Sequence, residues 1–125
     1  LRILIAEDQL ENRMLVEDFL RDRGYQPDVV ENGRLAIEAA TSRPYDLILM
    51  DLLMPEVDGL VATAAIRDHF GASRGPRIIA LTANVFPEDR ARCRAAGMDG
   101  LLAKPIDFKQ LTRVLGGETP SPETR

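Results

Sequence analysis

Short apolar runs alternate along the chain with longer segments in which apolar residues recur every three or four positions. The short runs suit buried β-strands and lie at residues 1–6, 26–31, 45–51, 77–81 and 101–103. The longer segments predict helices at residues 10–23, 34–41, 60–70, 87–96 and 108–115. Five strand–helix repeats predict an α/β protein with a parallel sheet that is covered by helices on both faces.

Cap residues support these helix limits. Asn32 is placed to cap the second helix, and Asp107 with Gln110 predicts a capping box before the last one. Residues 116–125 contain two Gly and two Pro together with Ser and Thr, which is typical of a linker or a frayed end. We therefore expect one domain at residues 1–115 and a flexible tail or linker at 116–125.

Composition excludes several classes of protein. The single cysteine, Cys93, rules out a disulfide framework, and the net charge of −4 argues against direct binding of nucleic acid. No uninterrupted apolar run is longer than residues 47–50, and a run of that length is too short to span a membrane. The chain begins inside a strand without a Met and shows no signal peptide, so we expect a cytoplasmic piece of a longer protein.

Polar side chains follow four of the predicted strands. They are Glu7 and Asp8 after the first strand, Asp51 at the end of the third, Thr82 after the fourth and Lys104 after the fifth. Ligands of open α/β sheets bind beyond the carboxyl ends of the strands, so we expect these groups to share one edge.

Three carboxylates that lie close together repel one another unless a cation binds between them. Oxygen ligands without histidine or cysteine favour Mg²⁺, and Mn²⁺ next. With Lys104 and the Thr82 hydroxyl, such a site suits transfer of a phosphoryl group to an aspartate. Each residue alone has a common structural explanation, such as a helix-start acid or a turn residue, and it is their joint placement that favours a site.

The chain resembles the receiver (response-regulator) domains of two-component signalling. The resemblance rests on Glu7-Asp8, on residues 50–55 with Asp58-Gly59, and on residues 80–84, 95–100 and Lys104-Pro105, which match in order and spacing. It covers about residues 1–115. The runs around residues 81–84 and 97–100 are most similar to receivers of hybrid sensor histidine kinases.

The resemblance implies a flavodoxin-like (βα)5 fold with strand order 2-1-3-4-5. It also implies that Asp8, Asp51 and the backbone carbonyl of Leu53 hold Mg²⁺, with Glu7 reaching the metal through water. A cis peptide bond is implied between Lys104 and Pro105.

For the chemistry, the resemblance implies that Asp51 accepts a phosphoryl group from a phosphohistidine, while Thr82 and Lys104 contact its oxygens. The implied partners are a sensor histidine kinase, a histidine phosphotransfer domain, or both. The isolated domain would then be a self-phosphorylating phosphoacceptor rather than a stand-alone enzyme. The resemblance leaves the oligomeric state open.

Two positions depart from the family pattern. Leu101 stands where receivers usually carry Tyr, Phe or His, and Leu53 is apolar where many are polar. An interaction module that is not phosphorylated remains an alternative. An aspartate-nucleophile phosphatase would need an acid at position 53, and in a flavin-binding electron carrier Glu7-Asp8 would repel the phosphate.

Overall fold

One parallel sheet organises the domain. The computed structural model describes residues 1–73 and 75–118. Its strands are β1 (Ile3–Ala6), β2 (Asp28–Val30), β3 (Leu47–Asp51), β4 (Arg77–Thr82) and β5 (Gly100–Ala103). They pair in the order β2-β1-β3-β4-β5, and all four pairings are parallel, which confirms the predicted topology.

Helices connect the strands in sequence. They are α1 (Leu10–Asp22), α2 (Gly33–Ser42), α3 (Gly59–Phe70), α4 (Pro87–Ala96) and α5 (Phe108–Leu115), and a 3₁₀ turn at Gly71–Ser73 follows α3. Each predicted element is present, with ends shifted by at most two residues. Of the predicted tail, residues 119–125 lie outside the described residues.

Alternate strand residues divide the core into two layers. On one face of the sheet Leu4, Ile48 and Ile78 pack under α2, α3 and α4, and on the other Ile5, Leu49 and Ile79 pack under α1 and α5. Because both faces are covered, the strands are apolar throughout rather than alternating. Cys93, in α4, is fully buried in the first layer.

Side-chain caps begin three of the helices. Asn32 accepts a hydrogen bond from the amide of Leu35 at 2.8 Å, as expected for the start of α2. Asp107 accepts a hydrogen bond from the amide of Lys109, two residues later, at 2.9 Å. The predicted capping box with Gln110 is therefore wrong, because the Asp107 carboxylate binds the amide two residues later and not the one three residues later. No helix among the described residues has the length and apolarity to cross a membrane.

Candidate functional site

The strand register brings four strand ends to one edge of the sheet. Ala6 pairs with Met50, Asp51 with Leu81, and Thr82 with Ala103. The residues that follow β1 and β5, together with the last residues of β3 and β4, therefore lie side by side. This is the arrangement that the positions of the polar residues in the sequence predict.

The three acids converge at this edge. Glu7, Asp8 and Asp51 each offer a carboxylate oxygen, and these oxygens all lie within 4.8 Å of one another. Glu7 and Asp51 are 1% and 3% exposed. A buried oxygen of Asp8, Oδ1, has no hydrogen-bond partner. A carboxylate buried without a donor is unfavourable unless a cation binds it, so the acids fit a hard divalent metal ion.

Lys104 lies between two of the acids. Its Nζ is 2.9 Å from Oε1 of Glu7 and 3.1 Å from Oδ1 of Asp51, and its peptide bond to Pro105 is cis, as the resemblance implies. Glu7 Oε1 receives no well-directed hydrogen bond, so its contact with the ammonium group is one of charge. Burial lowers the pKa of Lys104, but the contacts with both acids outweigh it and raise the pKa above its usual range. Lys104 therefore stays cationic.

The pKa of Asp51 is raised to about 7. Burial is the main cause, the neighbouring carboxyl of Glu7 raises the value further, and Lys104 partly opposes both. Without a metal ion, Asp51 consequently keeps a proton up to near-neutral pH. A divalent cation would favour the ionised carboxylate and so displace that proton.

Thr82 completes the edge and is nearly buried. Its Oγ1 accepts a hydrogen bond from the amide of Asn84 at 3.0 Å, which leaves the hydroxyl proton available to another acceptor. The amide of Leu53 lies 3.4 Å from Oδ1 of Asp51 and donates to it, so the loop after β3 is folded back over the acid. The side chain of Leu53 is 74% exposed.

Two residues that support the site do not lie at strand ends, so the positions of the strands could not predict them. Gly59, at the start of α3, lies so close to Asp51 that a Cβ there would overlap the Asp51 carbonyl oxygen. Arg13, one turn into α1, donates to the carbonyl oxygen of Glu7 at 3.3 Å. The Asp58-Gly59 pair marks the first of these places in the sequence, but only as a feature of the family resemblance.

The fold and these side chains define a receiver domain. Residues 3–116 match the family model of the response regulator receiver domain. The chain therefore belongs to the receiver domain family of two-component and phosphorelay signalling.

Individual relatives agree with this assignment. The chain is 44% identical over 110 residues to the hybrid signal transduction histidine kinase H of Dictyostelium discoideum, covering 85% of this chain and 8% of that protein. A solved receiver domain of a sensor histidine kinase from Pseudomonas aeruginosa PAO1 is 41% identical with a TM-score of 0.84, and the match covers 93% and 94% of the two chains. That structure contains a magnesium ion coordinated in its active-site cleft.

A third relative was solved with its signalling partner. The receiver domain of the Saccharomyces cerevisiae response regulator Ssk1, in a co-crystal with the histidine phosphotransfer protein Ypd1, is 28% identical with a TM-score of 0.85. The match covers 91% of this chain and 85% of that one. The expected similarity to receivers of hybrid histidine kinases is confirmed by the curated relatives, of which this chain spans only a small part.

Proposed function

We propose that this domain accepts a phosphoryl group from a partner's phosphohistidine onto Asp51 in a Mg²⁺-dependent reaction. The observation that carries the proposal is the position of the Lys104 ammonium group, 3.1 Å from Oδ1 of Asp51 at a nearly buried edge. A fixed cation beside a carboxylate can stabilise the negative charge of an incoming phosphoryl group without reorganisation.

The metal ligands in this proposal are the carboxylates of Asp8 and Asp51 and the backbone carbonyl of Leu53, with Glu7 acting through water. The unpartnered Oδ1 of Asp8 supports the assignment, as does the magnesium ion in the related Pseudomonas receiver. Bound Mg²⁺, or Mn²⁺ in its place, would neutralise part of the charge on the transferred phosphoryl group.

The residues of this chain then have distinct roles. An ionised Oδ of Asp51 attacks phosphorus, the P–N bond to the donor histidine breaks, and the imidazole nitrogen keeps the bonding electrons. Lys104 donates to one phosphoryl oxygen. The Thr82 hydroxyl donates a hydrogen bond to a second phosphoryl oxygen while it still accepts one from the Asn84 amide. Protein groups thus replace the water that would otherwise solvate the phosphoryl group.

We propose a sensor histidine kinase, a histidine phosphotransfer domain, or both as partners. We also propose a cytoplasmic location, either free or attached to a larger sensor kinase. The yeast complex of Ypd1 with a receiver supports a phosphotransfer partner. We also propose residues 1–115 as the receiver domain and 116–125 as a tail or linker.

Incubation with acetyl phosphate and Mg²⁺ tests the proposal. Intact-mass spectra of the wild type and of Asp22→Asn, which alters an exposed acid at the far end of α1, should show one added phosphoryl group. Asp51→Asn and EDTA-treated wild type should show none. Full labelling of Asp51→Asn would exclude Asp51 as the acceptor. No labelling of the wild type by acetyl phosphate or by a histidine kinase would favour the interaction module instead.

A further inference from the structure

Gly33, the first residue of α2, lies directly against the backbone of Val57. A Cβ built on Gly33 would overlap the carbonyl oxygen of Val57 and would lie 2.7 Å from its carbonyl carbon and 2.9 Å from its Cβ. Gly33 is part of the helix and does not have a positive φ. The position therefore requires glycine for space and not for conformational freedom.

Val57 belongs to the loop of residues 52–58, which joins β3 to α3 and is held along its length. The Val57 amide donates to Pro55 at 2.8 Å, and the Gly59 amide donates to Leu52 at 2.9 Å. At the far end of the loop, Gly59 leaves no room for a Cβ against the carbonyl oxygen of Asp51. Since this end is fixed to β3, a displacement of Val57 is transmitted into the loop.

We infer that Gly33 is a positioning residue for the metal site, an inference that rests on the proposed function. Because Gly33 has no side chain, α2 can lie against Val57 and hold the loop in the position where the Leu53 amide reaches Asp51. The hydrogen bond from the Leu53 amide to Asp51 Oδ1 shows how closely the loop follows the acid. A misplacement of about 1 Å near a reacting group can lower a rate by about 100-fold.

The test compares Gly33→Ala with two control variants. Mg²⁺ alone is titrated and followed by amide NMR shifts, and labelling by acetyl phosphate is timed. Gly33→Ala should weaken Mg²⁺ binding and slow labelling, each by about tenfold. Gly116→Ala adds a methyl group that meets no atom closer than 3.5 Å. Ala39→Gly destabilises α2 at a position six residues after Gly33. Both controls should bind Mg²⁺ within about twofold of the wild type.

A second variant keeps the inference testable if Gly33→Ala does not fold. Val57→Gly loosens the loop without the overlap, and it should weaken Mg²⁺ binding several-fold. If both single variants fold, Gly33→Ala/Val57→Gly should lose less affinity than the two single losses added together, because both act through one contact. An unchanged Mg²⁺ affinity in Val57→Gly, when Gly33→Ala is unfolded, would overturn the inference.

Failure of the inference differs from failure of the proposed function. A wild type that neither binds Mg²⁺ nor becomes labelled would overturn both. A wild type that binds and is labelled, with Gly33→Ala indistinguishable from Gly116→Ala, would overturn only the role of Gly33. An affinity loss in Ala39→Gly equal to that in Gly33→Ala, at matched melting temperatures, would also overturn it, since the loss would then reflect general destabilisation.

Discussion

Without metal, the domain should become less stable as pH rises, because Asp51 then has to give up a proton that the folded state binds tightly. The pKa of Asp51 is about 7 in the folded domain, against an ordinary value of 3.8. The folded state therefore binds the proton more tightly than the unfolded chain. The contribution of Asp51 to stability is therefore largest below about pH 4, falls between about pH 4 and 7, and is level above that range.

The size of this effect follows from the shift in pKa. The difference between a pKa of 3.8 and one of about 7 corresponds to about 4 kcal/mol. This is an upper limit, because Glu7 and Lys104 readjust when Asp51 changes. Asp51→Asn removes the titrating group. Taking about half of the upper limit, we expect the metal-free variant to be more stable than the wild type by about 2 kcal/mol at about pH 8. In a domain of this size that is about 8 °C in melting temperature.

Thermal melts followed by circular dichroism in EDTA measure this difference directly. At about pH 5 Asp51 is mostly protonated, so the advantage of Asp51→Asn should shrink to less than about 1 kcal/mol. Excess Mg²⁺ should raise the melting temperature of the wild type more than that of the variant. Asp22→Asn should remain within about 0.5 kcal/mol of the wild type in every condition.

Two results would refute the reasoning. The first is an equal melting temperature for Asp51→Asn and the wild type in EDTA at about pH 8. The second is a stabilisation that is the same at both pH values, which would mean that the gain does not come from titration of Asp51. Identical wild-type melts in EDTA and in excess Mg²⁺ would separately contradict the metal site.

Three further predictions concern residues outside the acid cluster. Thr63 is fully buried with its hydroxyl unpartnered, so Thr63→Val should raise the free energy of unfolding, measured with urea, by about 1 kcal/mol. Arg67 donates to Asp99 at 2.7 Å and to two backbone carbonyls, so Arg67→Ala should lower it by about 2–4 kcal/mol, and an unchanged urea midpoint would contradict the role of this contact. Leu53 offers no hydrogen bond to a hydrolytic water, so Leu53→Asn should speed loss of phosphate a few-fold to tenfold, or about 1 kcal/mol of barrier, measured after removal of the phosphodonor. A slower or equal release would defeat that argument.

The secondary structure, the topology and most of the site residues could be predicted from the sequence, because the patterns that indicate them are local. Apolar runs and helical periodicity define ten elements, and a parallel sheet brings its strand ends to one edge. Glu7, Asp8, Asp51, Thr82 and Lys104 could therefore be selected by position alone. Their meeting at a single edge is a consequence of topology, which the strand–helix alternation already determines.

Other features depend on contacts between distant parts of the chain, and only the tertiary structure decided them. The position of Lys104 between Glu7 and Asp51, and the resulting rise in the pKa of Asp51, depend on side-chain directions and burial. In the sequence Gly33 is only the neighbour of the helix cap Asn32, whereas the structure shows that it leaves space for Val57, 24 positions later. Such a requirement has no local pattern, because it arises from where two separately formed elements meet.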